Sequence, residues 1–152
     1  SNTGNIGRTC VATGTRRHLI DPLGFHLTEK AIRRSGMDYW GDLDVTRYAD
    51  FQDFLEKNPG AKLYMATTKA RKTYTQVKYE PDCYLMFGKE SAGIPEEILL
   101  QYRETSVRIP MMGETRSLNL SNSVAIMLYE ALRQNDFPGM KLVGDLHRLS
   151  WD

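Results

Sequence analysis

The chain has 152 residues, of which 41% are hydrophobic and 26% charged, and its formal net charge is +1. This composition is typical of a folded globular domain and excludes an intrinsically disordered chain. The longest aliphatic run, residues 124–128, is far shorter than the ~20 residues of a membrane-spanning helix. We therefore expect one cytoplasmic domain without membrane association.

Metal and disulfide chemistry receive no support from the sequence. The cysteines and histidines are far apart and show none of the CxxC or HxxxH spacings of zinc sites: Cys10, Cys83, His18, His26 and His147. Charge is uneven, since residues 1–76 carry 12 Lys+Arg against 8 Asp+Glu and residues 77–152 carry 8 against 11. A polyanionic partner would therefore favour the first half.

The chain begins with alternating helical and strand-like segments. A helix is predicted over residues 4–12, ended by Gly14, and a strand over 17–20 follows it. The next predicted helix covers residues 28–34, and Gly36 would end it. The order of these segments is already helix, strand, helix.

A second cycle of strand and helix follows. A strand is predicted near residues 43–48, and Asp50 caps a helix that carries Phe51, Phe54 and Leu55 on one face. Pro59 and Gly60 then precede a strand over residues 62–67.

The remaining segments repeat this pattern. Residues 84–87 are predicted to form a buried strand ending at Gly88, Pro95 to begin a short helix, and residues 106–109 to form another strand. The longest predicted helix covers residues 121–134 and has an apolar stripe: Val124, Met127, Leu128 and Ala131.

Alternating strands and helices predict an α/β fold with a mainly parallel sheet flanked by helices. In such sheets, ligands bind beyond the carboxyl ends of the strands. Three loops follow apolar strands and are rich in Gly, Ser, Thr or charged residues: 67–72, 88–94 and 110–119. We expect these loops to form the binding site.

Common nucleotide-binding and hydrolase motifs are absent. Neither GxGxxG nor GxxxxGK[ST] occurs. Residues 88–91 resemble the end of the second motif, but Cys83 stands in place of its first glycine. GxSxG is also absent, so serine hydrolysis has no support.

Three other segments carry a family likeness: NTGNIGRT at residues 2–9, LMFGKESAGIP at 85–95, and RIPM at 108–111 followed by RSLNLSNS at 116–123. In order and spacing they resemble the motifs of the SPOUT class of RNA methyltransferases. The likeness is greatest to the small single-domain branch that 2'-O-methylates the wobble ribose of tRNA. It spans nearly the whole chain and includes DPLGF, RRSGMDY and TTK, which begin at residues 21, 33 and 67.

The resemblance implies a fold, a cofactor and partners. It implies a SPOUT domain over residues 1–152 with a C-terminal trefoil knot, in which the short first strand of relatives is absent from this chain. It also implies S-adenosylmethionine as methyl donor, no metal, tRNA as substrate, and a homodimer with a shared site. Two other functions stay open: 2'-O-methylation of another RNA such as rRNA, and a non-catalytic RNA-binding module.

The resemblance assigns Arg8 to the ribose hydroxyl, with Asn2 helping to position it. An arginine can hold a ribose oxygen or a phosphate through paired hydrogen bonds. The alternative for Arg8 is a surface salt bridge, and the alternative for Asn2 is a helix N-cap. We expect Arg8 to orient the hydroxyl and stabilise the developing alkoxide.

The resemblance also implies a cofactor pocket formed largely by main-chain groups of Ala66, Gly88, Ile109 and Leu118, with Ser117 close by. Ser117 and Asn119 would line the methyl-transfer site, although each could instead cap the helix that follows. Gly88 would let the backbone approach the ligand closely. A valine at position 88 is therefore expected to fill the adenosyl space and leave the fold intact.

Clusters of basic residues are candidate RNA contacts. Lys69, Arg71 and Lys72 follow a predicted strand end, and we expect them to hold backbone phosphates. Two further basic groups lie at residues 16–18 and 33–34. Each of the three groups could instead be an ordinary solvated surface. Nearby aromatic residues could stack on bases: Tyr39, Trp40 and Tyr74.

Overall fold

The computed structural model describes residues 2–22, 24–30, 45–89, 92–113 and 118–152. Within them, one sheet contains β1 (Arg16–Ile20), β2 (Phe25–Lys30), β3 (Val45–Tyr48), β4 (Lys62–Ala66), β5 (Lys72–Thr73), β6 (Cys83–Phe87) and β7 (Ser106–Arg108). The helices are α1 (Asn2–Thr13), α2 (Phe51–Lys57), α3 (Glu96–Gln101) and α4 (Leu120–Gln134), with a 3-10 turn at Arg103–Thr105.

The sheet has the strand order β3-β1-β2-β6-β4-β7-β5. β2 runs antiparallel to both of its neighbours, and the other pairs are parallel. The predicted α/β class with a mainly parallel sheet is therefore confirmed. The trefoil knot stays a prediction.

Sequence signals at helix ends are confirmed. Gly14 follows α1 with a φ of 65°, a left-handed conformation that favours glycine. Asp50 caps α2, because its Oδ1 accepts a hydrogen bond of 2.7 Å from the backbone N–H of Asp53.

The helix predicted over residues 28–34 is wrong at its start. Residues 28–30 belong to β2, which pairs with β6 from His26↔Phe87 to Lys30↔Cys83. Phe25 and Leu27 point into the core with a period of two, which is a strand pattern. Residues 31–36 lie outside the described residues. The two-residue strand β5 was not predicted, because it is too short to show any periodicity.

Core residues cover both faces of the sheet. Along β6, Leu85 and Phe87 pack into a cluster with α1 and α4, while Met86 packs into a second cluster with Phe54 of α2. The predicted apolar stripe of α4 is confirmed, since all its members are 0% exposed: Val124, Met127, Leu128 and Ala131. This packing holds the carboxyl ends of β4, β6 and β7 side by side.

Candidate active site

A cavity of about 290 Å³ opens at the carboxyl ends of β4, β6 and β7. Ala66, Phe87 and Val107 line it from the strand ends, and all three predicted loops contribute further residues. Residues predicted to bind a cofactor line the cavity together: Ala66, Gly88, Ile109 and Leu118. Ser117 lies outside the described residues.

The lining changes from apolar at the base to polar at the rim. Phe87, Val107 and Met127 are buried core residues that also face the cavity, whereas Thr67 and Lys69 come from an exposed loop. This arrangement suits a ligand with one flat apolar part and one charged or polar part.

The sequence prediction included two further lining residues only as members of the loops 88–94 and 110–119, and it did not place Ser123 in the site. Lys89, Met111 and Ser123 line the cavity, and Met127 does so in addition to its predicted core role. The position of Met111 just after β7 was the available signal, because side chains beyond strand ends lie near the site. Ser123 had no such signal, since only the packing of α4 turns it toward the cavity.

Gly88 is packed against the backbone of its own loop. A Cβ at this position would lie 2.4 Å from the carbonyl carbon of Gly93 and 2.6 Å from the nitrogen of Ile94. Neither atom belongs to a side chain that could rotate away. The expectation that a valine here would leave the fold intact is therefore wrong, because the added atoms meet the protein before they meet a ligand.

Asn119 caps the N-terminus of α4. Its Oδ1 accepts hydrogen bonds from the backbone N–H of Ser121 at 2.9 Å and from the Ser121 hydroxyl at 2.6 Å. The capping alternative is thus what the structure shows for Asn119. The cap fixes the start of the helix whose first turns line the cavity.

Arg8 is exposed on α1 and does not line the cavity of its own chain. Asn2 is the first residue of the same helix, and its side chain is outside what the structure describes. Within one chain, the structure therefore does not bring Arg8 to the cavity that Ala66, Gly88, Ile109 and Leu118 line.

Three cations follow β4 and are called here the basic segment: Lys69, Arg71 and Lys72. Lys69 reaches the cavity and forms an ion pair with Glu96 at 3.2 Å. Lys72 forms one with Glu104 at 3.1 Å. Arg71 is exposed and has no ion pair with any residue that the structure describes. The half-buried Tyr74 follows the segment, whereas Tyr39 and Trp40 lie outside the described residues.

In the basic group at residues 16–18, Arg16 is half-buried, whereas Arg17 and His18 are only 3% and 4% exposed. His18 is buried because it packs against the rings of Tyr48, Phe54 and Tyr84. His18 hydrogen bonds through Nδ1 to the Tyr48 hydroxyl at 3.0 Å and through Nε2 to Glu29 at 2.9 Å. Both residues are thus unavailable to RNA. The other group, residues 33–34, lies outside the described residues.

Membrane-spanning helices and metal-ligand clusters are both absent from the part of the chain that the structure describes. None of its helices has the length and apolar character that a bilayer crossing requires. No three His, Cys, Asp or Glu side chains there come together as ligands of a metal ion.

Residues 1–129 match the SpoU rRNA Methylase family. Over 142 residues the chain is 45% identical to the tRNA (cytidine(34)-2'-O)-methyltransferase of Escherichia coli K12, covering 93% of this chain and 90% of that protein. The chain is also similar to a solved structure described as giving structural insights into the 2-OH methylation of C/U34 on tRNA, with a TM-score of 0.71 and 40% identity. The match covers 89% of this chain and 83% of that one. An AdoMet-bound rRNA methyltransferase from Sinorhizobium meliloti matches with a TM-score of 0.62 and 25% identity. The match covers 87% of this chain and 51% of that one.

Proposed function

Because the chain belongs to the SpoU rRNA Methylase family, we propose that it methylates the ribose 2'-hydroxyl of the wobble nucleotide, a cytidine or modified uridine, in a tRNA anticodon loop. S-adenosylmethionine is the methyl donor. Residues 1–152 form a single methyltransferase domain that acts in the cytoplasm. The observation that carries the proposal is the cavity at the ends of β4, β6 and β7, which Lys69 of the basic segment also lines. The E. coli relative, whose name gives the same reaction, supports the choice of nucleotide.

The cavity fits the methyl donor. Its apolar base suits an adenine ring, and its polar rim suits the ribose and amino-acid parts. Ala66, Gly88, Ile109 and Leu118 would hold the donor, mainly through main-chain groups. When bound, the donor supplies a methyl group already activated by a positively charged sulfur, so the reaction requires no metal.

The protein must align the ribose hydroxyl and stabilise the charge that develops on its oxygen. In the reaction the hydroxyl oxygen would form the new bond to the methyl carbon while the carbon–sulfur bond of the donor breaks. The electron pair of that bond would stay on sulfur, leaving S-adenosylhomocysteine, and the hydroxyl proton would pass to water. We assign the alignment and the charge stabilisation to Arg8, whose guanidinium can donate two hydrogen bonds in a fixed plane. Asn2, Ser117 and Asn119 complete the transfer site in this proposal.

A homodimer would bring Arg8 to a cavity. Arg8 projects from the exposed side of α1, and α1 packs against α4. Val11 on α1 and Tyr129 on α4 are each 41% exposed, which leaves apolar surface on these two helices. In the proposed dimer this surface is covered and Arg8 acts at the partner's cavity.

Mass-spectrometric mapping of ribose methylation on bulk tRNA, incubated with the protein and S-adenosylmethionine, tests the reaction. We expect 2'-O-methylation at the wobble position. Methyl groups found only on bases, only outside the anticodon loop or only on rRNA would contradict the proposed substrate. RNA binding without any methylation would instead indicate a non-catalytic binding module.

Mixing two variants with different defects tests the shared site. Arg8→Ala should lower the single-turnover rate by ~100-fold or more at saturating ligands, the range for losing a preorganised polar group. Gly88→Ala should weaken donor binding in the cavity of its own chain, so the mixture is assayed below the unfolding temperature of this variant and at a donor concentration that saturates only the wild-type cavity. If subunits exchange at random, an equal mixture should recover about a quarter of wild-type activity, because half of the dimers then have one complete site. No recovery despite exchange would contradict a shared site.

A further inference from the structure

We infer that Glu96 and Glu104 act as built-in competitors for RNA phosphate, so that Arg71 is the cation of the basic segment that is ready to bind RNA. The inference rests on the proposed function, because it concerns how the same protein holds its RNA. It predicts that removing either carboxylate strengthens RNA binding in a way that depends on salt.

The two lysines are held by carboxylates from elsewhere in the chain. Lys69 Nζ donates to Glu96 Oε2 at 3.2 Å, and Glu96 is the first residue of α3. Lys72 Nζ donates to the Glu104 carboxylate at 3.1 Å and to the Glu104 backbone carbonyl at 3.2 Å. These contacts join residues 27 and 32 positions apart, so the folded structure, and not the local sequence, places each carboxylate on its lysine.

Arg71 differs from both lysines. It lies between them in sequence, is exposed, and has no carboxylate within ion-pair distance among the residues that the structure describes. Among the residues that the structure describes, a phosphate that binds Arg71 therefore has no acidic side chain to displace. A phosphate that binds Lys69 or Lys72 must exchange with Glu96 or Glu104.

This exchange changes the salt dependence of binding. RNA releases condensed cations when a basic residue neutralises a phosphate, so affinity falls as the salt concentration rises. For a single strand, the slope of log affinity against log salt is about −0.7 per phosphate contact. If the phosphate displaces a carboxylate, that carboxylate takes up cations from solution and offsets the release. Each paired lysine thus adds less to the salt dependence than Arg71 does.

The test measures binding of an anticodon stem-loop by fluorescence anisotropy at several salt concentrations. Because both ion pairs are largely exposed, we expect Glu96→Gln and Glu104→Gln each to tighten binding by roughly 2- to 5-fold at low salt and to steepen the slope by up to about 0.7. Glu97→Gln is the matched control, because Glu97 neighbours Glu96, is exposed, and makes no ion pair with a described residue. This control should change affinity less than about 2-fold and leave the slope unchanged.

A double-mutant cycle separates competition from a general charge effect. In a Lys69→Gln background, Glu96→Gln should no longer tighten binding or alter the slope. Equal tightening by Glu96→Gln and Glu97→Gln, or a persisting effect in the Lys69→Gln background, would overturn the inference. If the protein methylates the wobble position but Glu96→Gln leaves RNA binding unaltered, the inference alone is refuted. If Glu96→Gln tightens RNA binding but the protein methylates no RNA, the proposed function alone is refuted.

Discussion

One added methyl group at position 88 tests how the cavity wall is built. In Gly88→Ala the new Cβ would lie 2.4 Å from the carbonyl carbon and 2.7 Å from the Cα of Gly93, and 2.6 Å from the nitrogen of Ile94. Carbon atoms pack best at about 3.5–4.0 Å, so the backbone on one side must move by roughly 1 Å.

This movement should affect stability and ligand binding together. Overpacking of this kind lowers the free energy of unfolding by about 1–3 kcal/mol. For a chain of this size each kcal/mol lowers Tm by about 2–4 °C. Because Gly88, Gly93 and Ile94 all line the cavity, we also expect the affinity for S-adenosylhomocysteine to fall by at least ~10-fold, or about 1.4 kcal/mol.

The assay combines thermal unfolding with calorimetric titration of S-adenosylhomocysteine. Gly113→Ala is the control, since a Cβ at Gly113 would meet nothing within 4 Å although the loop is one of those that approach the cavity. The control should stay within about 0.5 kcal/mol of wild type. If Gly88→Ala has a wild-type Tm and wild-type affinity, the close approach of the two backbone segments does not hold in solution.

The other predictions concern a helix cap, an acid-sensitive carboxylate and ligand linkage. Asn119→Ala should lower the free energy of unfolding by about 1 kcal/mol through loss of the α4 cap, whereas Asn119→Asp should keep the cap; a methylation defect in the stable aspartate variant would then report a role in the reaction. Hydrogen bonds from Arg133 lower the pKa of Glu130 in the folded chain, so its stabilising effect is present at neutral pH and is lost as the pH falls below about 4.3. Glu130→Gln should therefore unfold more easily at pH 7 and show a weaker loss of stability in acid, and an unchanged acid profile would contradict this assignment. Saturating S-adenosylhomocysteine at 100 times its Kd should raise the free energy of unfolding by about 2.7 kcal/mol without added metal, and a chelator that abolished this gain would contradict a metal-free site.

Sequence reasoning located the cavity because its signals are local. β4 and β6 are short, largely apolar runs, and the loop after each differs sharply in composition. The error at residues 28–30 arose because Thr28 with a later Gly36 imitates the start and end of a helix. Pairing with β6, a contact distant in sequence, makes this segment a strand.

Other features depend on neighbours that no local pattern identifies. Arg17 and His18 have charged or polar side chains, but both are buried. His18 lies among rings from three other elements: Tyr48, Phe54 and Tyr84. The atoms closest to a Cβ on Gly88 belong to a backbone segment five residues away. The carboxylates that hold Lys69 and Lys72 come from α3 and the 3-10 turn. Each of these facts needs the folded chain.

The strand order also sets the sequence of events during folding and synthesis. β1 and β2 pair as near neighbours, starting at Ile20↔Phe25, whereas the cavity edge needs Ala66↔Phe87 and Met65↔Ser106. Pairing across longer separations closes larger loops and is slower. On the ribosome, the hairpin of β1 and β2 can form early, but the cavity cannot close until β7 and α4 have emerged. The cavity is therefore assembled only after most of the chain has been synthesised.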